Sequence, residues 1–166
     1  IVIKPQFDQA QEFQDGLALV DVNFKWGMID KTGKFIIKPK YNFLEVFSEG
    51  LAPFGNGDGY GFIDKSEKIV IPGQFYSIGY FSEGLSAVVV KDKWGFIDKT
   101  GKIVIEPKFA RIESFLDGLA QVWEEKGIWG YINYQGNYVW KVSKTDTSIK
   151  PQKNLNKMSL KRMSCQ

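Results

Sequence analysis

Residues 94–109 read WGFIDKTGKIVIEPKF, and residues 26–41 read WGMIDKTGKFIIKPKY. Two nearly identical phrases within 166 residues indicate an internal repeat, which has to be recognised before any fold is predicted. The spacing of glycine supports this. A glycine recurs every 34 residues, preceded by an acid and followed by leucine; the four are Gly16, Gly50, Gly84 and Gly118.

Two further series keep this period to within one residue. In the first, an aromatic residue precedes glycine; the pairs are Trp26 and Gly27, Tyr60 and Gly61, Trp94 and Gly95, and Trp129 and Gly130. In the second, an aromatic residue closely follows a proline; the prolines are Pro5, Pro39, Pro72 and Pro107. The sequence therefore predicts a repeat domain over residues 1–140, with a leading remnant and four units of about 34 residues.

Each unit contains three short segments rich in strand-forming residues, for example LSAVVV, WGFID and KIVIEP. The turn DKTG joins the second to the third, where Gly33, Gly101 and Gly136 suit a positive φ, and a proline is expected to end the third strand. Glu67 takes the place of that glycine in the second unit, so we expect a strained or differently shaped turn there.

The predicted fold is all-β. Apolar residues occupy both sides of the strands, so each sheet has to be covered on both faces by its neighbours. We expect three-stranded antiparallel sheets in an open superhelical stack. A small, closed, propeller-like ring is the alternative, although propeller blades usually have four strands.

The phrase KWGFIDKTGKIVIEPKF, preceded by FSEGL, resembles the WG (KWG) repeat of bacterial proteins. Tyr60 in place of tryptophan and Glu67 in place of glycine are departures from that pattern, both in the second unit. The resemblance implies tandem β-rich units and supplies no known catalytic residues. It therefore leaves the function open.

The composition argues against an enzyme. The chain has no histidine, the commonest general base and metal ligand, and its single cysteine is Cys165. Asp30, Asp64 and Asp98 recur in the turns and are explained by turn geometry. The glycine-rich stretch 55–61 offers only Asn56 and Asp58 as side-chain ligands for calcium. We predict no catalytic residue, no metal and no cofactor.

Charge divides the chain in two. Residues 1–140 carry 15 basic and 18 acidic side chains, whereas residues 141–166 carry seven and one. This predicts a basic, disordered tail over residues 141–166. We expect contact with nucleic acid or an anionic membrane only through this tail. No apolar run has the length of a transmembrane span. The chain starts at Ile1 inside a repeat, which predicts a trimmed N-terminus, and no segment assigns a compartment.

The aromatic residues provide the candidate contacts. Trp26, Tyr60, Trp94 and Trp129 are predicted to be buried and structural, and the glycine after each is expected to admit a side chain or backbone of the next unit. Phe54, Trp123 and Trp140 lie outside the repeated series and are the candidate ligand contacts. The predicted function is a non-catalytic module that binds another protein. A carbohydrate-binding module with exposed aromatics and a structural spacer of a larger surface protein are the alternatives.

Overall fold

The computed structural model describes residues 6–142. Within them, sixteen strands form four antiparallel sheets of four strands each, none of which closes on itself. The first sheet contains β1 (Gln9–Ala10), β2 (Leu17–Val22), β3 (Lys25–Asp30) and β4 (Phe35–Tyr41). The second contains β5 (Phe43–Leu44), β6 (Leu51–Gly55), β7 (Tyr60–Asp64) and β8 (Ile69–Phe75).

The remaining two sheets follow the same plan. The third contains β9 (Ser77–Ser82), β10 (Leu85–Val90), β11 (Lys93–Asp98) and β12 (Ile103–Phe109). The fourth contains β13 (Arg111–Ile112), β14 (Ala120–Trp123), β15 (Trp129–Ile132) and β16 (Tyr138–Val142), with a 3₁₀ turn at Glu125–Gly127. In every sheet the spatial order of the strands equals their order in the chain. The all-β prediction is confirmed.

The prediction of three-stranded sheets was wrong, because each sheet gains a short strand at its start. In the second sheet this strand pairs Phe43 with Gly55 and Leu44 with Phe54. It has only two residues in three of the four sheets. A strand of two residues shows no alternation of polar and apolar side chains, so the sequence pattern does not reveal it.

The prolines do not end the strands, which corrects a second expectation. β12 continues through Pro107 to Phe109. Trp94 pairs with Phe109 and Phe96 with Ile105, so three residues of β12 bulge opposite Gly95 alone. Proline is tolerated there because β12 is the edge strand of its sheet and the site is a bulge.

The bulge explains the glycine of the WG pair. A Cβ atom on Gly95 would lie 2.5 Å from the carbonyl oxygen of Ile105 and 2.8 Å from the nitrogen of Pro107. Gly27 is crowded in the same way by Ile37 and Pro39. The glycine is thus required by the edge strand of its own sheet. The expectation that the next unit makes this close approach was wrong.

The turns behave largely as the sequence predicts. Oδ1 of Asp98 accepts hydrogen bonds from the N–H groups of Thr100 at 2.9 Å and Lys102 at 3.1 Å, and Gly101 has φ of 85°. Glu67 has φ of 64° but keeps the matching backbone hydrogen bond, from its N–H to the Asp64 carbonyl at 3.0 Å. The second turn is therefore strained without being reshaped, and Glu67 forms an ion pair with Lys40.

Packing between consecutive sheets forms the core. The rings of Phe62 and Phe81 lie 4.7 Å apart across one junction, and those of Phe96 and Phe115 lie 4.8 Å apart across the next. Ser82 adds a hydrogen bond of 2.8 Å from its hydroxyl to the Phe115 carbonyl. Three clusters of buried apolar residues each draw on two neighbouring sheets. Each sheet therefore obtains part of its core from the next.

We predict that Gly95→Ala lowers the free energy of unfolding by about 3 kcal/mol, because the added methyl group overlaps the bulged edge strand. Gly84→Ala is the matched control: φ is +81° and no atom lies within 4 Å of the new methyl group, so only the backbone cost of about 1 kcal/mol applies. Urea unfolding of both variants measures the difference. Equal losses would contradict the steric explanation.

Candidate interaction face

Each sheet has two ends of different composition. The turn face carries the acid–glycine turns before the second strand of each sheet and the turns that join its third and fourth strands. The hairpin face carries the hairpins 23–24, 56–59, 91–92 and 124–128, and the single residues Asn42, Tyr76 and Ala110 that link one sheet to the next. Because each link is one residue long, successive sheets keep the same orientation, and the four hairpins lie on one side of the molecule.

On the turn face, repeated acids join consecutive sheets. The Glu83 carboxylate accepts hydrogen bonds from the N–H groups of Asp117 at 2.7 Å and Gly118 at 3.0 Å, and from the Tyr134 hydroxyl at 2.9 Å. The N–H of Gly118, the hydroxyl of Tyr134 and the N–H of Asp117 hold the pKa of Glu83 below its ordinary value. This acid therefore connects the third sheet to the fourth.

Glu49 makes the equivalent contact one sheet earlier. It accepts a hydrogen bond from the N–H of Gly84 at 3.0 Å and forms an ion pair of 3.1 Å with Lys99. Partial burial raises its pKa, but Lys99 and the N–H of Gly84 outweigh that effect and lower the pKa overall. The sequence explains these acids through their own turns and misses that they bind the next unit. The shared 34-residue spacing of acid and glycine is the signal for it.

The hairpin face carries residues that differ from unit to unit. Phe24 is 91% exposed and Tyr76 is 80% exposed. Phe24 also has φ of 60° in a two-residue hairpin where Asn23 has φ of 52°. A phenylalanine in the left-handed region is uncommon, because the side chain clashes with the backbone there. The sequence reasoning did not single out Phe24 or Tyr76. The signal available was a large apolar residue in a hairpin that the other units do not share.

Neighbouring hairpins are joined by side chains. The ammonium group of Lys93 forms an ion pair with Glu125 in the hairpin of the next sheet. Lys25 donates a hydrogen bond to the side chain of Asn42, the link to the second sheet. On the hairpin face, side-chain contacts therefore join the first sheet to the second and the third sheet to the fourth.

The three candidate contact residues lie in different environments. Phe54 is 3% exposed and lies in the core between the first two sheets, so the interpretation of Phe54 as a ligand contact was wrong. It occupies the position that Val20 and Val88 fill in other units, and both valines are fully buried. Phe54 departs from the repeat because it is a larger side chain at a core position, and not because it lies on the surface.

Trp123 and Trp140 are both half-buried and lie on different strands of the fourth sheet. Trp123 pairs with Trp129 beside the last hairpin, and the guanidinium carbon of Arg111 lies 4.6 Å from the centre of its ring. Trp140 lies on the edge strand β16, with its ring 5.0 Å from that of Trp129 in an edge-to-face arrangement. Only Trp123 therefore belongs to the hairpin face.

The aromatic residues of the WG series are half-buried rather than fully buried. Trp26 and Trp94 pack against the clusters that join their sheets to the next. Tyr60 packs edge-on against Phe43, with ring centres 5.1 Å apart. One side of each ring is thus used in packing while part of it faces solvent.

Two structural features are absent from residues 6–142. Across residues 6–142, no group of three or more His, Cys, Asp or Glu side chains is placed to hold a metal ion. No helix in the same range is long and apolar enough to cross a membrane. The basic tail is predicted to begin at residue 141, but Lys141 and Val142 still belong to β16, because they pair with Gly130 and Trp129. The rest of that prediction, residues 143–166, and the start of the leading remnant, residues 1–5, lie outside the described residues.

The repeats and sheets define a class of tandem all-β repeat proteins. A family model described as a WG-containing repeat matches residues 1–25, 26–59, 60–94 and 94–122. The chain belongs to this family, which confirms the resemblance seen in the sequence. No curated protein sequence matches the chain significantly.

Solved structures with a similar backbone are propeller-like and distant in sequence. A eukaryotic initiation factor matches with a TM-score of 0.59 at 10% identity, over 87% of this chain and 45% of its own. The computationally designed Ika8 protein matches with a TM-score of 0.53 at 12% identity, over 80% and 48%. BamB from Moraxella catarrhalis matches with a TM-score of 0.52 at 11% identity, over 81% and 48%. The chain spans about half the length of each, and the likeness concerns the fold alone.

We predict that the contact made by Glu83 stabilises the protein only while its carboxyl is ionised. Because the folded-state pKa lies below the ordinary value of 4.5, this stability is present above about pH 4.5 and is lost as the pH falls through the folded pKa. Glu83→Gln should therefore have a lower Tm than the wild type at pH 7, and the difference should shrink towards pH 3.

Glu106→Gln is the control for that experiment, since Glu106 is an exposed residue of β12. Thermal unfolding followed by circular dichroism at several pH values gives the comparison. A Glu83→Gln difference that stays constant from pH 7 to pH 3 would show that the carboxylate charge is not what joins the sheets.

Proposed function

We propose that the protein is a non-catalytic interaction module that binds another protein through its hairpin face. The observation that carries this proposal is Phe24, a large apolar side chain that is 91% exposed in a left-handed backbone conformation. A residue other than glycine in this conformation lowers the free energy of unfolding by about 1–2 kcal/mol relative to glycine at the same φ. The hairpin backbone is held by hydrogen bonds from the N–H groups of Asn23 to Asp8 and of Phe24 to Asp21, but the ring of Phe24 stays exposed, which favours a role for the ring outside the folded chain.

The composition of the face fits a protein partner. Aromatic side chains are enriched among the residues that dominate the binding energy of protein interfaces, and Phe24 and Tyr76 supply two of them. The same face carries the charged hairpin Lys91 and Asp92 and the ion pair of Lys93 with Glu125. An exposed apolar anchor with a polar surround is the usual arrangement of such interfaces.

Carbohydrate binding is the second candidate, and the aromatic group of Trp129, Tyr131 and Trp140 favours it. The Trp140 ring lies 5.0 Å from that of Trp129 and 6.2 Å from that of Tyr131, and all three side chains are partly exposed. Trp123 is less suited, because Arg111 covers one face of its ring. A structural spacer in a larger surface protein is the third proposal, in which no face binds a ligand.

For the arrangement of the sheets, we propose an open stack in preference to a closed ring. The substantial contacts between sheets join consecutive sheets, such as β3 with β5, β6 with β9 and β11 with β13. An open stack presents a long face to a partner, as repeat proteins commonly do.

Spin-label distances test this arrangement. We expect the distance between labels at Lys38 and Lys141, in the first and fourth sheets, to exceed that between labels at Lys38 and Glu106, in the first and third. All three residues are exposed and lie at matching positions of edge strands. Pulsed electron resonance on cysteine variants in a Cys165→Ser background measures both distances. In a closed ring of four sheets the first distance would be the shorter.

The function is tested with Phe24→Asn. Asparagine tolerates a positive φ better than phenylalanine, so this variant should be more stable by about 1 kcal/mol while binding its partner at least about tenfold more weakly. Val104→Asn, at an apolar residue that is 43% exposed on the edge strand β12, is the matched control and should bind as the wild type does. Stability and binding therefore move in opposite directions only if the hairpin face is the site.

The partner is found with a photo-crosslinking residue placed at position 24 or 104 in living cells, and the purified partner is then used to measure Kd. A defined protein adduct at position 24 and none at 104 is the expected result. Equal labelling at both positions, or specific binding on a glycan array with no protein adduct, would reject the proposal.

A further inference from the structure

The junction between the first and second sheets differs from the other two. It contains a cavity of about 140 Å³ with an exposed polar mouth and a buried apolar floor. Asp15, Gly50 and Lys65 line the mouth, whereas Leu19, Met28 and Phe47 line the interior. Differences between equivalent positions at the three junctions explain the cavity.

At the second and third junctions a glutamate side chain occupies the corresponding place. Glu83 is held by the N–H of Gly118 and the hydroxyl of Tyr134, and Glu49 by the N–H of Gly84 and the ammonium group of Lys99. Two kinds of donor recur: the N–H of the turn glycine in the next sheet, and the side chain that follows the Asp or Asn of its last turn. Each junction thus contains a small carboxylate-binding site, filled from within the chain.

At the first junction the donors are present but the glutamate is not. The N–H of Gly50 and the ammonium group of Lys65 correspond to those of Gly84 and Lys99, while Asp15 replaces glutamate and is one methylene group shorter. Among the hydrogen bonds and ion pairs of residues 6–142, no carboxylate accepts from Gly50 or Lys65. Lys65 instead lies over the ring of Phe47, 5.8 Å from its centre.

The apolar part of the cavity also results from a residue that differs from its equivalents at the other junctions. Phe62 and Phe96 extend from their sheets to pack on Phe81 and Phe115 of the next sheet. At the first junction Met28 takes this position and faces Phe47. Methionine is thinner and more flexible than phenylalanine, so it fills the space less completely. Two substitutions, at Asp15 and Met28, therefore open the polar and the apolar part of one cavity.

We infer that this cavity binds a small monocarboxylate with a compact apolar body. The ligand carboxylate takes the place that Glu49 and Glu83 occupy at the other junctions, between the N–H of Gly50 and the ammonium group of Lys65. Its apolar body lies against Met28 and Phe47. An engineered apolar cavity of about 150 Å³ admits benzene, so a body of roughly that size fits. This activity goes beyond the proposed protein binding and uses the opposite end of the sheets.

The remaining charges set the selectivity. Asp15 and Glu49 also line the cavity. The Glu49 carboxylate is engaged by Lys99 and Gly84 on the side of the third sheet. Asp15 lies at the mouth and repels every anionic ligand, and each added carboxylate increases that repulsion, so a dicarboxylate of similar size binds more weakly than a monocarboxylate.

The test uses three probes of one shape: benzoate, benzyl alcohol and benzylamine, titrated into the full chain labelled with ¹⁵N. Benzoate should shift the amide signals of Gly50 and its neighbours in a saturable way. Benzyl alcohol should bind at least about tenfold more weakly, because it lacks the charge-assisted hydrogen bonds. Benzylamine should not bind. No saturation by benzoate, or tighter binding of benzylamine, would overturn the inference.

Variants separate binding from folding. Asp15→Glu and Met28→Phe recreate the other junctions, so each should abolish benzoate binding while raising the Tm. Lys65→Gln should weaken binding at least about tenfold with an unchanged amide spectrum elsewhere. Lys31→Gln, at the equivalent exposed lysine of the first sheet outside the cavity, is the control and should bind as the wild type does. Unaltered binding in Asp15→Glu and Lys65→Gln would place the ligand elsewhere and reject the site.

Discussion

The constraint on which the structure depends is that no sheet can cover its own apolar faces. Each sheet contributes large side chains to a core shared with the next one, as Phe62 does with Phe81 and Phe96 with Phe115. The carboxylates of Glu49 and Glu83 fix the same junctions from the polar side. Stability is therefore a property of neighbouring pairs of sheets, as expected for a repeat protein.

This constraint separates the residues that maintain the fold from those that are free to vary. On the turn face, side chains are tied to the next unit and recur in nearly every copy. On the hairpin face the chain only has to reverse direction, so Asn23 and Phe24, the glycine-rich loop 55–59, and Lys91 and Asp92 differ freely. Loops positioned by a rigid scaffold commonly carry function. The chain thus combines a stacking surface that recurs from unit to unit with a hairpin face that differs between units.

The first junction shows how a repeat acquires an individual property without losing its fold. A shorter acid at Asp15 and a thinner side chain at Met28 leave the strands and their register unchanged. What changes is the fit between two sheets, and a cavity results. Small departures at positions that otherwise repeat are therefore as informative about a repeat protein as residues that lie outside the repeat.

The sequence by itself determined the repeat, the all-β class, the family and the hydrogen-bonded turns at Asp30, Asp64 and Asp98, because each of these is encoded in short segments that recur along the chain. Only the tertiary structure decided the added two-residue strands, the bulge over Gly95, the burial of Phe54 and the contact of Glu83 with Gly118. Such features depend on pairing between segments, in the last case 35 residues apart, that local patterns do not specify.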